Sequence, residues 1–187
     1  VNRTKGYRQK WVRGDTGIHG HDSNGPFTGW KAGLQEGGHR VPFFVRWPAK
    51  IKPGESCPST ILFNDVFPTL AEILSVKLNH HTAEDGQSFF KALTGQSRPE
   101  SFHEAIVHNH SNGTFAIRQG AFKLTVNGPK TTSQVRDDAF PVSFVLHDLS
   151  KDIEETTDVS GDHPTIVQEM HALLKKYVRQ GRSIDRQ

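Results

Sequence analysis

Hydrophobic and polar positions divide the chain into stretches with different periods. Residues 1–40 are rich in glycine and charge and show neither a helical nor an alternating apolar period, which predicts loop throughout. Val41–Trp47 is dense in β-branched and aromatic residues between glycines and Pro48, which predicts a strand. Val41, Phe43, Val45 and Trp47 share one face and Phe44 takes the other, so this strand is expected to be covered on both sides. Apolar residues at 66, 67, 70, 73 and 74 then mark an amphipathic helix over 65–76, with Asn64 or Asp65 as N-cap and Pro68 in the first turn. A polar linker leads to a short helix over 87–93 that stops near Gly95.

The second half changes period. Short extended runs at Glu104–His108, Phe115–Arg118, Phe122–Val126 and Phe144–His147, with Asn112-Gly113 and Gln119-Gly120 as turns, predict an antiparallel meander. A long polar excursion separates the last two. Ile166, Val167, Met170, Leu173, Leu174, Tyr177 and Val178 fall on one helical face between a cap at Asp162 and a stop at Gly181. The fold class is therefore α/β. Residues 1–95 carry the strand–helix part (loop 14–40, strand 41–47, helix 65–76), and residues 96–187 form a small four-stranded antiparallel sheet with a C-terminal helix.

Composition adds few constraints. The chain has 187 residues, 34% of them apolar, enough for one core or somewhat more. Its net charge of +3 is small and scattered, with no basic run, which argues against nucleic acid as a partner. One cysteine, Cys57, excludes an internal disulfide. No apolar run approaches a membrane span, and the start Val1-Asn2-Arg3-Thr4 has neither Met nor an apolar leader, so the chain is expected to be a fragment.

Several residue groups could carry chemistry. The loop around 20–42 brings Lys31, Glu36, His39 and Arg40 into a short glycine-rich span. His108-Asn109-His110 ends a predicted strand, where functional groups are often delivered. Cys57 has no neighbouring base, and His19-x-His21 and His80-His81 lack the helical spacing of a metal pair. Asp22-Ser23-Asn24-Gly25 reads as an Asx-type turn, because it lacks the acidic density of a calcium loop. Arg118 and Lys123, flanked by apolar neighbours, read as solvent-face charges.

Taken in order, Ser23-Asn24-Gly25-Pro26-Phe27, Lys31, Glu36-Gly37-Gly38-His39-Arg40-Val41-Pro42-Phe43, Arg46-Trp47-Pro48, Lys52-Pro53-Gly54, Asp65 and Pro68-Thr69-Leu70 resemble the later part of the formylglycine-dependent (type I) sulfatases. The likeness is greatest to the arylsulfatase A and N-acetylgalactosamine-6-sulfatase branch. Asp85-Gly86-Gln87-Ser88-Phe89, Phe115 to Leu124 and Leu146 to Val159 resemble that family's C-terminal subdomain. The resemblance implies the end of an alkaline-phosphatase-like sulfatase domain followed by the small sheet and helix. It implies a sulfuric ester hydrolase that uses a formylglycine nucleophile and calcium on a sulfated carbohydrate or aryl sulfate, in the periplasm or secreted. It also implies that Lys31 contacts a sulfate oxygen.

The departures define what this chain carries. Cys57 is followed directly by Pro58, and no arginine follows Ser59, so it does not match the formylglycine precursor. No Asp-Asn pair precedes the Lys31 segment, so the calcium carboxylates are missing as well. Lys31 is thus the expected sulfate contact and Glu36 and Arg40 structure the loop. His39, His108 and His110 are candidates for the substrate rim, and the chain alone is expected to be inactive. Two alternatives are a non-catalytic module gripping anionic glycans and a phosphoryl-transfer enzyme of the same superfold.

Overall fold

The computed structural model describes residues 24–110 and 112–185. The expectations for residues 1–23, including His19-x-His21, Asp22 and the 14–23 part of the loop, lie outside the described residues. The chain divides into two compact units. One takes the described residues through Pro42 together with Ile106–Val178; the other takes Phe43–Ala105 and the described residues from Arg179 onward. This differs from a linear division at residue 95, because the loop before Pro42 packs with the later sheet.

In the first unit, β1 (Ile106–Asn109), β2 (Phe115–Gln119), β3 (Phe122–Asn127) and β4 (Ser143–Asp148) form an antiparallel sheet in the order β1-β2-β3-β4. This is the predicted meander. Its register places Ile117 opposite Leu124 and Leu124 opposite Leu146. Side chains alternate along a strand and directly paired residues share a face. One face therefore collects Phe115, Ile117, Phe122, Leu124, Val126, Phe144 and Leu146. The other collects Ile106, His108, Ala116, Arg118, Lys123, Thr125, Asn127, Val145 and His147.

The long helix α5 (Pro164–Gln180) covers the apolar face. Its Val167, Met170, Leu174 and Tyr177 are buried, and His163 and His171 meet Phe122 and Phe144 edge-on at 5.4 and 5.0 Å between ring centres. Gly181, at φ 67°, ends the helix in the left-handed conformation that glycine adopts without a Cβ clash. The polar excursion before β4 contains a helix that its sequence does not announce, α4 (Thr132–Arg136). The Thr131 hydroxyl accepts from the Gln134 N–H, and Val135 is buried. The Arg136 guanidinium donates to the Val178 carbonyl at 2.7 and 3.1 Å, occupying an acceptor that the helix end leaves unused.

In the second unit a 3₁₀ turn (Phe63–Asp65) leads into α2 (Val66–Ile73), and α3 is the short Phe90–Leu93. Asp65, fully buried, organises this region. Its carboxylate accepts from the Leu62 and Gln87 N–H groups at 2.7 and 2.8 Å, and both its oxygens lie 2.9 Å from buried His103 Nε2. The expected strand at 41–47 is corrected: no ladder forms there. A strand requires a neighbour, the strands between 106 and 148 pair with one another, and Pro42 removes a donor. Nor is this stretch covered on both sides, since Phe44 is 91% exposed. Phe63, Phe67, Leu70 and Leu74 also stand exposed around α2.

Leu174 has no exposure at the helix–sheet contact. Leu174→Ala is expected to lower the unfolding free energy in urea by about 2–5 kcal/mol through lost transfer energy and a cavity. Phe44→Ser is expected to leave it within about 0.5 kcal/mol.

Candidate active site

The described part of the loop is held by its own hydrogen bonds. Asn24 Nδ2 donates to the carbonyls of Gly29 and Gly37 at 2.7 and 3.2 Å, and the Gly37 N–H donates to Thr28 O at 2.8 Å. A Cβ on Gly37 would lie 2.7 Å from Gly29 O, and one on Gly38 2.4 Å from Gly33 O, so the Glu-Gly-Gly run permits backbone approaches that no other residue allows. Residues 36–39 wind into a single turn, α1 (Glu36–His39), within a stretch expected to be loop.

Lys31 occupies the corner of a turn closed by the Gly33 N–H to Trp30 O bond at 2.8 Å. Ala32, at φ 72°, takes the left-handed position that type II turns usually give to glycine. Lys31 is exposed and makes no ion pair among the described residues. The loop's other cation, Arg40, is committed: its Nε donates to Glu36 Oε2 at 2.6 Å and its guanidinium lies 4.5 Å from the centre of the Phe27 ring.

Glu36 fastens the loop to the polar face of the sheet. Fully buried, it accepts from Arg40, from Arg118 at 3.0 Å and from the Lys123 ammonium at 3.1 Å. Lys123, equally buried, lies 2.9 Å from Glu155 Oε1, and Glu155 Oε2 accepts the Glu36 backbone N–H at 2.6 Å. Glu155 is presented by a tight turn in which it adopts φ 56°, and the Asp152 carboxylate accepts the Thr156 and Thr157 N–H groups at 2.8 and 2.7 Å. The reading of Arg118 and Lys123 as solvent-face charges is thus corrected. Their face of the sheet is covered by the 24–42 loop, whose carboxylate requires buried cations.

His39 and His108 come together here, their rings stacked at 3.8 Å and 13°. His39 Nε2 lies 3.3 Å from Lys123 Nζ and 3.2 Å from Leu34 O, so the neutral ring either accepts from the ammonium or donates to the carbonyl. His108 Nε2 is buried without a partner among the described residues. His110 is directed elsewhere. Its Nδ1 accepts the Asn112 N–H at 3.0 Å, and it lines a cavity of about 350 Å³ on the polar sheet face together with Gln35, Thr125, Asn127, His147 and Glu155.

Electrostatics fixes the protonation states. Burial alone would raise the Glu36 carboxyl, but the Lys123 ammonium, then Arg40 and Arg118, overcome it and hold it at about 2. Desolvation, reinforced by Lys123, pushes His39 down to about 4. Desolvation, with His39 and Lys123 beside it, pushes His108 down to about 3. At neutral pH the pair is uncharged and Glu36 is an ion already shared among three cations. Glu36 is therefore no general base, and Lys31 is the loop's cation available to an anion.

The formylglycine and calcium that the resemblance implies find no place among the described residues. Cys57 is an exposed thiol, and no group of three or more His, Cys, Asp or Glu side chains gathers as a metal site. His80 and His81 lie against each other at 3.9 Å with no third ligand among the described residues.

Of the residues named from sequence, Glu36, Arg40, His39 and His108 meet in one cluster. Lys31 stands at the exposed turn and His110 at the cavity. Sequence reading missed Glu155, and it missed what Arg118 and Lys123 do. These two are direct partners across the β2–β3 hairpin. Like charges facing each other are unfavourable unless anions cover them, so their placement around Gln119-Gly120 already called for a carboxylate on top.

No family model matches the chain. It is 34% identical over 166 residues to the N-acetylgalactosamine-6-O-sulfatase of Bacteroides thetaiotaomicron, an alignment covering 84% of this chain and 31% of that protein. It is 38% identical over 91 residues to human steryl-sulfatase, covering 49% of this chain and 15% of that one. A solved structure from work on the metabolism of multiple glycosaminoglycans by Bacteroides thetaiotaomicron superposes with a TM-score of 0.66 at 32% identity, over 83% of this chain and 32% of the other. The structure of Ps i-CgsB in complex with k-i-k-neocarrahexaose superposes at 0.64 over 85% of this chain and 33% of the other, and at 24% identity shows the fold alone. These proteins define the class as the sulfatases, with their alkaline-phosphatase-like fold. The chain belongs to that family and spans about a third of the length of the N-acetylgalactosamine-6-O-sulfatase, and a smaller share of steryl-sulfatase, toward their C-terminal end.

Lys123→Met leaves Glu36 and Glu155 buried beside an apolar side chain and is expected to destabilise the chain by about 3–5 kcal/mol in chemical denaturation. A loss below 1 kcal/mol, about that of an exposed ion pair, would contradict this geometry. Both histidines bind protons more weakly in the folded chain than when unfolded, so the unfolded state holds more protons between about pH 6.5 and 4, and stability rises with pH across that window. Glu36 continues the same sign from its ordinary 4.5 down to about 2. Urea denaturation between pH 7 and 4 is expected to show a slope of up to about 1.4 kcal/mol per pH unit for each histidine, reduced in His39→Gln and His108→Gln. A flat profile there would refute the assignment.

Proposed function

We propose that this chain is the C-terminal third of an enzyme that hydrolyses sulfate esters of carbohydrates, and that Lys31 contributes the ammonium that holds a sulfate oxygen. The observation that carries this reading is the contrast between the two cations of the loop. Arg40 is spent on Glu36, whereas Lys31 is left exposed at the corner of a turn stapled from Asn24 to Gly38. A held ammonium offers three donors and a full charge to an anion, and its interaction grows as negative charge develops on the leaving group. The N-acetylgalactosamine-6-O-sulfatase among the relatives favours a sulfated amino sugar as substrate. Glu36, Arg40, Arg118, Lys123 and Glu155 hold the loop, and the neutral His39–His108 pair stands at its rim.

The nucleophile and the calcium ligands belong, in this reading, to the rest of the enzyme. A periplasmic or extracellular setting accompanies the reading. No helix among the described residues is long and apolar enough to cross a membrane.

The 187-residue chain is expected to release no sulfate from an aryl sulfate and to bind N-acetylgalactosamine 6-sulfate in a salt-sensitive way. Lys31→Ala is expected to weaken that binding about tenfold or more, the equivalent of one charge-assisted hydrogen bond at about 1.5–3 kcal/mol. Equal affinity in wild type and variant, measured by titration calorimetry, would remove Lys31 from the site.

A further inference from the structure

The cavity on the polar face of the sheet has no role in sulfate binding as described above, and its lining is chemically specific. Its volume, about 350 Å³, falls in the range of small-molecule sites. No lysine or arginine lines it, and its one carboxylate, Glu155, is already shared between Lys123 and the Glu36 N–H. An anion entering it would meet that carboxylate and no cation, so sulfate and phosphate are disfavoured.

The remaining polar groups of the lining form a mixed set of donors and acceptors. His147 Nδ1 lies 2.9 Å from the Thr157 carbonyl, which can only accept, so Nδ1 carries a proton and Nε2 is the ring nitrogen left to the cavity. In His110 the arrangement is reversed: Nδ1 accepts the Asn112 N–H, which places the ring proton on Nε2. The Gln35 and Asn127 amides and the Thr125 hydroxyl, which can each donate and accept, have no side-chain hydrogen-bond partner among the described residues. A cavity without a lysine or arginine, lined by two imidazoles, two amides and a hydroxyl, matches a ligand whose groups both donate and accept, as the hydroxyls of a sugar do.

Its position ties it to Lys31. Gln35 lines the cavity only four residues after Lys31, which bounds the separation of their backbones at about 14 Å. We propose that this cavity is a subsite for a neutral, non-sulfated sugar unit of the same oligosaccharide whose sulfate meets Lys31, with Gln35, His110, Thr125, Asn127 and His147 as its hydrogen-bonding groups. The ligand class rests on the sulfated-carbohydrate reading above, while the lack of lysine and arginine at the site rests on its own lining.

The test is a titration of the 187-residue chain with N-acetylgalactosamine and with its 6-sulfate, followed through the imidazole NMR signals of His110 and His147. The expected result is that the sulfate-free sugar shifts both imidazoles with millimolar affinity, equally in wild type and Lys31→Ala. Thr125→Val and Asn127→Ala, which remove hydrogen-bonding groups from the lining, are each expected to weaken it at least fivefold without altering the thermal unfolding midpoint. Unmoved imidazole signals, or binding that survives both substitutions, would overturn the subsite. If the 6-sulfate binds no better than the neutral sugar in wild type while the imidazoles still shift, the Lys31 reading fails and the subsite stands.

Discussion

The buried ammonium of Lys123 is the contact on which the first unit depends. It stands on a central strand, and with its three donors it reaches Glu36 on the loop, Glu155 on the turn after β4 and His39. Three segments far apart in sequence thereby meet at one atom. A buried ion pair of this kind is weak support for stability, since the cost of desolvating both partners consumes much of the Coulomb gain. Its consequence is geometric. Removing Lys123 leaves Glu155 buried without a cation and takes from Glu36 one of its three, so the alternatives to the observed arrangement are penalised more than the arrangement itself is favoured.

That constraint explains why the sheet has two dissimilar faces. Strand β3 alternates Phe122, Leu124 and Val126 toward the helix with Lys123, Thr125 and Asn127 on the opposite side. A slip of one residue would send Lys123 into the apolar layer beneath α5 and lift Leu124 toward the loop. The charge cluster and the helix contact therefore specify the same register from opposite sides. The loop follows from this. With Glu36 fixed from below and the Gly37–Gly38 run pressed against its own backbone, the 24–40 stretch has a defined path although almost none of it is regular structure.

The meander, the final helix and the helix after residue 65 were legible because each rests on local signals: period, caps and turn residues. Phe122–Asn127 alternates, Gly181 stops a helix, and Asn112-Gly113 turns a hairpin. The strand expected at Val41–Trp47 shows the limit of such signals, since apolar content marks a segment for burial without supplying the neighbour that makes it a strand. The candidate site was legible where its residues lie close in sequence, as with Lys31, Glu36, His39 and Arg40. It was not legible where function came from topology. Glu155 is 119 residues from Glu36, and no periodicity links them. Lys123 looked like an ordinary alternating charge because sequence pattern cannot tell a face covered by solvent from one covered by a polar loop.

The net charge of the cluster connects packing with chemistry. Arg40, Arg118 and Lys123 contribute three positive charges against the two of Glu36 and Glu155. The surplus of one acts on the stacked histidines beside it and helps keep them neutral, as their depressed values indicate. An excess of carboxylate would do the opposite, drawing protons onto His39 and His108 and adding cations that compete with Lys31 for any anion at the loop. Nearly all the positive charge around the loop is thus matched from within. What remains exposed to an incoming anion is Lys31 at its turn. A loop with several uncommitted cations would attract polyanions indiscriminately, whereas one exposed ammonium at a turn leaves a single place in the loop where an anion's charge would be met.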